Sequence, residues 1–242
     1  TRYISVTGVQ TCALPIFKQE HVAHYMNRVD IITAQNVFAH NDYPLDFLLQ
    51  CKAIMHDKSV LFIQTSQADM VRNNEFDTIY HEHLSFFCAN SMNELAKRAG
   101  LYLIDIRKTP IHGNSYVLVF SKSPRGSTAV EMVLNEERDA GLNTPATYVE
   151  YARKAQKAVA DLKEVITAYR TEGFVIAGYG AAAKGMTLLN FGNINLDFVI
   201  DDNPLKQGLL TPGMHMPIES IDILNECQDL NVAFVQIGRA HV

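Results

Sequence analysis

Residues 29–65 read VDIITAQNVFAHNDYPLDFLLQCKAIMHDKSVLFIQT, and the spacing of their apolar side chains predicts the fold. The run at 29–34 is short, apolar and followed by polar residues, as expected of a buried parallel strand. Apolar residues then recur at helical spacing over 44–55, and 59–65 form another apolar run. Two strands flanking a helix indicate a parallel β-α-β unit and therefore an α/β fold.

The chain beyond this unit continues the sheet. Residues 91–99 have the length and spacing of a short helix, with Asn90 or Ser91 as its cap. Residues 101–108 and 116–122 alternate apolar and polar side chains in the manner of two paired strands. We therefore expect a parallel sheet that finishes in an antiparallel pair.

A second domain is predicted after the polar stretch at 121–128, where hydrophobicity drops and turn residues cluster. Residues 145–170 are typical of a long amphipathic helix, and FVIAGYG at 174–180 predicts a strand that runs into a glycine turn. Further buried strands are expected at 197–201 and 232–235. This alternation of strands and helices again favours an α/β fold.

The two ends of the chain differ from its interior. Residues 1–16 and 236–242 show no helical or strand period, and VTGVQTCALPI and QIGRAHV back-translate to opposite-strand readings of sequencing-adapter DNA. We hypothesise that both ends are translated adapter and lie outside the fold. The domains are then expected at 17–124 and 125–235, and removal of the ends is expected to change thermal stability little.

Composition excludes several classes of protein. The chain is 48% hydrophobic and 19% charged, and its formal net charge of −5 offers no basic field to a nucleic acid. No apolar run approaches the roughly 18 to 20 residues that span a bilayer. Cys51, Cys88 and Cys227 lie far apart without CxxC spacing, as in the reduced core of a cytosolic protein. We expect a cytoplasmic protein without a nucleic-acid or membrane partner.

Acid–base chemistry is indicated by EFDTIYHEHLSFF at 75–87, which places Tyr80, Glu82 and His83 within four positions. The apolar residues around them would bury this cluster, and burial shifts the pKa of a titratable group toward catalytic use. A solvated carboxylate between two surface histidines is the simpler interpretation of an isolated HEH.

The segment GYGAAAKG at 178–185 predicts a turn between a strand and a helix. Gly178 and Gly180 would let the backbone approach a ligand, while the N–H groups of the helix start and the charge of Lys184 would attract a phosphate. The spacing fits neither GxGxxG nor a P-loop, so a purely structural turn is an equal alternative. DDNPLKQG at 201–208 follows the next strand, where ligands bind to parallel sheets.

Several separated segments together resemble the sugar C-methyltransferases. They are NVFAH at 36–40, EFDTIYHEHLSFF at 75–87, HGNS at 112–115, GYGAAAKG at 178–185, DDNPLKQG at 201–208 and PGMHMPI at 212–218. Enzymes of that family use S-adenosylmethionine to methylate C-3 of a nucleotide-linked 4-keto deoxysugar. The resemblance covers nearly all of 29–235. It implies a partial class I methyltransferase (Rossmann-like) domain followed by a second Rossmann-like α/β C-terminal domain that helps to hold the nucleotide sugar.

The resemblance also implies roles for individual residues. His83 would be the base that removes the proton α to the ketone, with Glu82 orienting it, and His40 and Tyr80 would contact the sugar or the enolate oxygen. Contacts to the substrate are implied for Asn36, His112, Asn114, Gly178, Gly180, Lys184, Asn203 and Lys206. Asn114 departs from the HGGS that is usual in the family, which leaves the contacts of that loop open.

S-adenosylmethionine is the cofactor that the resemblance implies. The glycine-rich loop that holds it, and the N-terminal domain that binds zinc through cysteines in the family, are not found in this sequence. We therefore assign no cofactor-binding residues and expect the chain alone to be inactive. The predicted activity belongs to the natural protein that contains this chain, which we call the parent protein.

Two alternatives from other classes remain open at this point. His81 and His83 alternate onto one face and, with Glu82 or Asp77, are candidates for a metal site. The protein is alternatively a non-catalytic nucleotide- or NAD-binding module built around the glycine turn, for which Asp201 lies near the distance expected of a ribose-binding acid.

Overall fold

The structure is a computed structural model that describes residues 3–7, 19–110, 114–227 and 230–237. The chain divides into two compact units. The first comprises Thr1–Asn73 and His81–Tyr148, and the second comprises Asn74–Tyr80 and Val149–Val242.

The first unit contains a five-stranded sheet. Its strands are β1 (Tyr3–Thr7), β2 (Val29–Gln35), β3 (Met55–Thr65), β4 (Tyr102–Thr109) and β5 (Ser115–Ser121). They are ordered β1-β2-β3-β5-β4, with β1, β2 and β3 parallel and β5 antiparallel to both of its neighbours. The predicted parallel sheet with an antiparallel pair at its end is confirmed.

Helices of the first unit are α1 (Gln19–Tyr25), α2 (Pro44–Ile54), α3 (Ala89–Ala99) and α4 (Thr128–Asp139). Helix α2 begins at a proline, whose fixed φ suits the first turn and whose missing N–H removes a donor that would be unpaired there. It buries Leu48 and Ile54 in one core with Leu61 and Ile63 of β3. Each such side chain stabilises the fold by about 1.5–3 kcal/mol.

The second unit is a smaller α/β structure. It contains most of the long helix α5 (Pro145–Thr171), followed by β6 (Val175–Tyr179), α6 (Ala183–Gly192), β7 (Phe198–Ile200), β8 (Ile218–Glu219), α7 (Ile223–Glu226) and β9 (Val232–Gln236). Its four strands are all parallel and are ordered β8-β7-β6-β9. The predicted second Rossmann-like α/β domain is confirmed in fold class.

The cap of α3 differs from the prediction. Neither Asn90 nor Ser91 precedes the helix: its N-cap is Cys88, whose sulfur accepts a hydrogen bond from Ser91 N at 3.5 Å. Ser91 Oγ accepts from Cys88 N at 3.0 Å in return. A thiol is an unusual capping group, so a pattern based on Ser, Thr, Asp and Asn places the helix start too late.

The boundary between the units also differs from the predicted limit after residue 124. The observed division falls at Tyr148, inside α5, and α4 belongs to the first unit. The physical reason is Glu137 of α4, which is buried and accepts hydrogen bonds from Ala89 N at 2.7 Å and Asn90 N at 2.8 Å. These bonds satisfy N–H groups at the start of α3, where an anion is stabilising.

The expectation that the chain ends lie outside the fold is wrong for the residues described there. Tyr3–Thr7 pair with β2 from Ile31 to Gln35, and Gln236 completes β9. Ile237 is only 6% exposed, and its N–H donates to Tyr179 O at 3.1 Å. A short segment rich in β-branched and aromatic residues joins an open strand edge whatever its origin, because the edge offers unpaired backbone groups.

Reduced cysteines and the absence of membrane segments were also predicted from composition. Cys51 is buried in the first core, whereas Cys88 and Cys227 are partly exposed, and all three are free thiols. Among the described residues, no helix combines the length and the apolar character needed to cross a membrane.

Candidate active site

His40 is held by a short 3-10 turn just beyond the carboxyl end of β2. This turn, Phe38–His40, buries Phe38 and Ala39. The Phe38 ring packs against Phe47 and Phe87, with ring centroids 5.4 and 5.0 Å away. The buried rings fix the turn, so that His40 is carried on a rigid support while its own side chain stays partly exposed.

The segment that carries His83 is bonded directly to this turn. Leu84 N and Ser85 N both donate to Ala39 O, at 2.9 and 3.2 Å. The imidazole rings of His40 and His83 consequently lie 5.0 Å apart between centroids. Phe86 stands perpendicular to the His83 ring at 6.1 Å. The structure thus brings together two of the predicted catalytic residues, which are far apart in sequence.

The other two predicted catalytic residues are divided between the units. Glu82 is partly buried in the first unit beside His83 in sequence, whereas Tyr80 belongs to the second unit. The short turn Phe76–Thr78 precedes Tyr80, and Phe76 contacts the ring of Phe191 with centroids 5.3 Å apart. The chain therefore passes from one unit to the other within the sequence motif itself.

Buried polar atoms without partners gather at the carboxyl edge of the first sheet. Asn36 follows β2 in the left-handed region, with φ of 53°, and its Oδ1 is buried. Thr65 Oγ1 ends β3 and Thr109 Oγ1 ends β4. None of these three atoms has a hydrogen-bond partner among the described residues. An unsatisfied buried polar atom is costly, so its position indicates where a ligand or water completes the structure.

Asn114 is bound by a residue that sequence reasoning missed. Its Nδ2 donates to Asp69 Oδ2 at 2.9 Å, and Lys108 Nζ donates to Asp69 Oδ1 at 2.8 Å. Burial raises the pKa of Asp69, but the bonds from Lys108 and Asn114 and the charges of Lys108 and Arg72 outweigh it and hold the pKa below its usual value. His112 lies outside the described residues.

The glycine turn of the second unit has a packing explanation. Gly180 adopts φ of 94°, which a residue with a side chain rarely takes. A Cβ at Gly178 would lie 2.9 Å from both Ile237 Cδ1 and Leu196 Cδ1. Packing of the core therefore gives a reason for the missing side chain at Gly178, and a contact of Gly178 with the substrate stays a prediction.

Asp201 satisfies the polar groups of the same turn. Its carboxylate accepts from Ala181 N at 2.8 Å, Asn203 N at 2.9 Å and Lys206 Nζ at 2.9 Å. Burial raises the pKa of Asp201, yet these bonds and the charge of Lys206 hold it below its usual value. Asp201 is thus committed to the turn, which counts against its role as a ribose-binding acid and against an NAD-binding module.

The other substrate-binding residues predicted for this unit differ in their contacts. Lys206 also donates to Ala181 O at 2.9 Å, and Asn203 Oδ1 accepts from Leu205 N at 3.0 Å, so both hold the loop together. Lys184 lies in the first turn of α6, partly buried, and forms no ion pair with a described residue. Substrate contacts of Asn203, Lys206 and Lys184 stay predictions.

A metal site is not supported. Within residues 3–7, 19–110, 114–227 and 230–237, no group of three His, Cys, Asp or Glu side chains is arranged to hold a metal ion. The histidines and acids of residues 77–83 therefore do not form the coordination sphere that was weighed as an alternative, and nothing in the described chain supports zinc.

A mixed sheet of this order followed by a second parallel unit defines a two-unit α/β protein of the Rossmann-like class. Residues 110–234 match the C-methyltransferase C-terminal domain family, and residues 4–106 match a methyltransferase domain family. The chain belongs to the C-methyltransferase family. It is 30% identical over 208 residues to the C-methyltransferase NovU of Streptomyces niveus, across 83% of this chain and 50% of NovU. It thus spans about half the length of that relative.

Solved structures give weaker similarity. A complex of the Haloferax volcanii Trm112 methyltransferase activator with a methyltransferase has a TM-score of 0.36 and 11% identity, over 41% of this chain and 56% of that one. The 1,6-didemethyltoxoflavin-N1-methyltransferase of Burkholderia thailandensis has a TM-score of 0.33 and 16% identity, over 41% and 46%. Scores at this level carry no weight for the fold or the function.

Proposed function

We propose that the parent protein transfers a methyl group from S-adenosylmethionine to the carbon α to a ketone, namely C-3 of a nucleotide-linked 4-keto deoxysugar. Membership of the C-methyltransferase family supports methyl transfer to carbon. The observation that carries the proposal is the His40–His83 pair, 5.0 Å apart beside the carboxyl edge of a parallel sheet.

The residues at this edge fit a ligand that donates hydrogen bonds. Asn36 Oδ1 is a buried acceptor that lacks a donor among the described residues. The ammonium group of S-adenosylmethionine and the hydroxyl groups of a sugar both offer such a donor. When bound, S-adenosylmethionine supplies an electrophilic methyl group.

The chemistry requires a base and a partner for the developing charge. A proton α to a ketone is weakly acidic, so its removal needs a positioned base and stabilisation of the enolate oxygen. A nitrogen of the His83 imidazole takes the proton, and Glu82 orients the ring. An unperturbed imidazole has a pKa of about 6.5, which suits a base at neutral pH. His40 and Tyr80 contact the sugar or the enolate oxygen. C-3 of the enolate would then form the new bond to the methyl group while the bond from that methyl to the sulfonium sulfur breaks and leaves its electron pair on the sulfur.

The second unit holds the nucleotide part of the substrate in this proposal. Lys184 is the supporting observation, because its ammonium lies in the first turn of α6 without an ion-pair partner in the described chain. The start of a helix and an unpaired cation both favour a phosphate. A cytoplasmic location and a nucleotide-linked sugar as the small-molecule substrate, without a nucleic-acid or membrane partner, complete the proposal.

The test is exchange of the C-3 proton of the keto sugar with deuterated water in the parent protein, followed with a non-methylating analogue of the cofactor. His83→Ala should abolish exchange and lower kcat by roughly 10² to 10⁴, the usual contribution of a general base. Binding of the cofactor should be nearly unchanged. Glu82→Gln should cost less, because Glu82 acts on the orientation of the ring. Undiminished exchange in His83→Ala would show that another residue is the base, and His40→Ala would be examined next.

A further inference from the structure

The segment that follows β3 carries two buried polar side chains, Gln67 and Asp69. They are 6% and 9% exposed, and both lie just beyond the carboxyl end of the strand. The backbone turns back on itself here, since Asn73 N donates to Asp69 O at 2.9 Å. Each of these two polar side chains bonds to a different part of the chain.

Gln67 holds the loop that begins with His83. Its Nε2 donates to Ser85 O at 3.2 Å, and its Oε1 accepts from Phe87 N at 2.8 Å. One amide thus pairs with two backbone groups, as a neighbouring strand would. Ala39 O binds Leu84 N and Ser85 N on the same stretch of chain. The backbone directly after His83 is therefore held from two directions, close to the turn that carries His40.

Asp69 holds the two sides of the loop that contains His112. Lys108 lies before that loop, near the end of β4, and Asn114 lies after it, immediately before β5. Asp69 binds both, at 2.8 and 2.9 Å. Asn114 has φ of 97°, a conformation that is rarely adopted outside glycine and persists where surrounding bonds hold it. The bond to Asp69 is one that holds it.

We propose that Gln67 and Asp69 are positioning residues: Gln67 sets the place of the His83 base, and Asp69 sets the conformation of Asn114, for which the family resemblance implies a contact with the substrate. The proposal rests on the function proposed above and gives each of the two residues a different role. Neither residue touches the reacting atoms. Loss of Gln67 should act on kcat, and loss of Asp69 should act on KM.

The physical basis is the sensitivity of catalysis to geometry. A base displaced by about 1 Å can lose about 10²-fold in rate, even when substrate binding is intact. Supporting hydrogen bonds to the backbone behind a catalytic side chain are what prevent such displacement. Gln67→Leu keeps the size of the side chain and removes both bonds, whereas Gln67→Glu keeps an acceptor for Phe87 N and loses the donor to Ser85 O.

The first measurement is amide hydrogen exchange in the parent protein, which needs no turnover. Gln67→Leu should speed exchange of the Phe87 amide about tenfold or more, and Gln67→Glu should speed it less. Gln50→Leu is the control, because Gln50 is a partly buried glutamine of α2 without a side-chain bond to this loop. Unchanged exchange at Phe87 in Gln67→Leu would overturn the proposal.

The second measurement is kinetic. Gln67→Leu should lower kcat by about 10- to 100-fold with little change in KM, with partial rescue in Gln67→Glu, and Asp69→Asn should raise KM more than it lowers kcat. Ile54→Val, a core change at the far end of α2, controls for loss of stability alone. If the Phe87 amide is freed but kcat is unaffected, the positioning role of Gln67 is overturned. If His83→Ala also retains full kcat, the failure belongs to the proposed function.

Discussion

The carboxyl edge of the first sheet and the glycine turn of the second unit differ in whether their buried polar atoms have hydrogen-bond partners. At the first, Asn36 Oδ1 and Thr65 Oγ1 are buried without a partner in the described chain. At the second, Asp201 accepts hydrogen bonds from Ala181, Asn203 and Lys206. Unsatisfied buried atoms lower stability, so they indicate where a ligand or water would complete the structure. Hydrogen bonds within the turn account for these polar groups of the second unit, whereas Lys184 forms no ion pair with a described residue.

The largest effect on stability is expected from Ile237→Ala. Ile237 is buried beneath the glycine turn, and loss of a buried isoleucine to alanine costs about 2–5 kcal/mol. The free energy of unfolding of the second unit, measured with denaturant, should fall by this amount. Phe234→Ala, three residues earlier, in β9, but 49% exposed, should cost clearly less. If both variants lost equally little unfolding free energy, packing of Ile237 beneath the glycine turn would not stabilise the second unit.

Asp201→Ala should rank next. It removes three charge-assisted bonds, leaves the Ala181 N–H unpaired and takes away the carboxylate that pairs with Lys206, for a cost of about 2–3 kcal/mol. The matched control is Asp202→Ala, because the neighbouring aspartate is exposed and bonds only the Tyr179 hydroxyl among the described groups. Thermal unfolding of both variants separates the two positions. A similar loss of stability in both variants would mean that the hydrogen bonds of Asp201 contribute no more than those of an exposed aspartate.

Asp69 gives the first unit a stability that depends on pH. Its pKa is held below the usual value, so its contribution is present above the ordinary carboxyl pKa of about 3.9 and is lost as pH falls through the depressed value. The difference in unfolding free energy between the wild type and Asp69→Asn should therefore be constant near neutrality and shrink below pH about 4. A gap that widens on acidification would contradict this linkage.

The smallest effect on stability is expected from Asn36→Gly. Glycine tolerates the φ of 53° and removes an unsatisfied acceptor, so the unfolding free energy should stay within about 0.5 kcal/mol of the wild type. Ligand binding by the parent protein, measured by calorimetry, should weaken at the same time. A large loss of stability would mean that Asn36 supports the fold, and the contrast between the two edges would fail.

Periodicity was sufficient to predict the elements but not the way they are joined. The runs at 29–34 and 59–65 predicted β2 and β3, because buried parallel strands are continuously apolar. The adjacency of His40 and His83 depends on Ala39 O, a backbone atom that no side-chain pattern reveals.

Gln67 and Asp69 were missed for a related reason. Their partners lie 18 to 45 positions away in the sequence and are partly backbone groups. The available signal was weak: two polar residues just after a buried strand, at the edge where parallel sheets bind ligands. β1 was missed because tertiary pairing with β2, more than any local period, makes Tyr3–Thr7 a strand.

The detour of Asn74–Tyr80 into the second unit has a consequence for how the protein is made. During synthesis this stretch emerges long before α6, so Phe76 cannot reach the Phe191 ring until much of the remaining chain has appeared. Domains generally fold as they leave the ribosome, N-terminal first. Until then Asn74–Tyr80 has no unit of its own to pack into, and a protease that cuts this segment would sever the second unit from one of its own pieces.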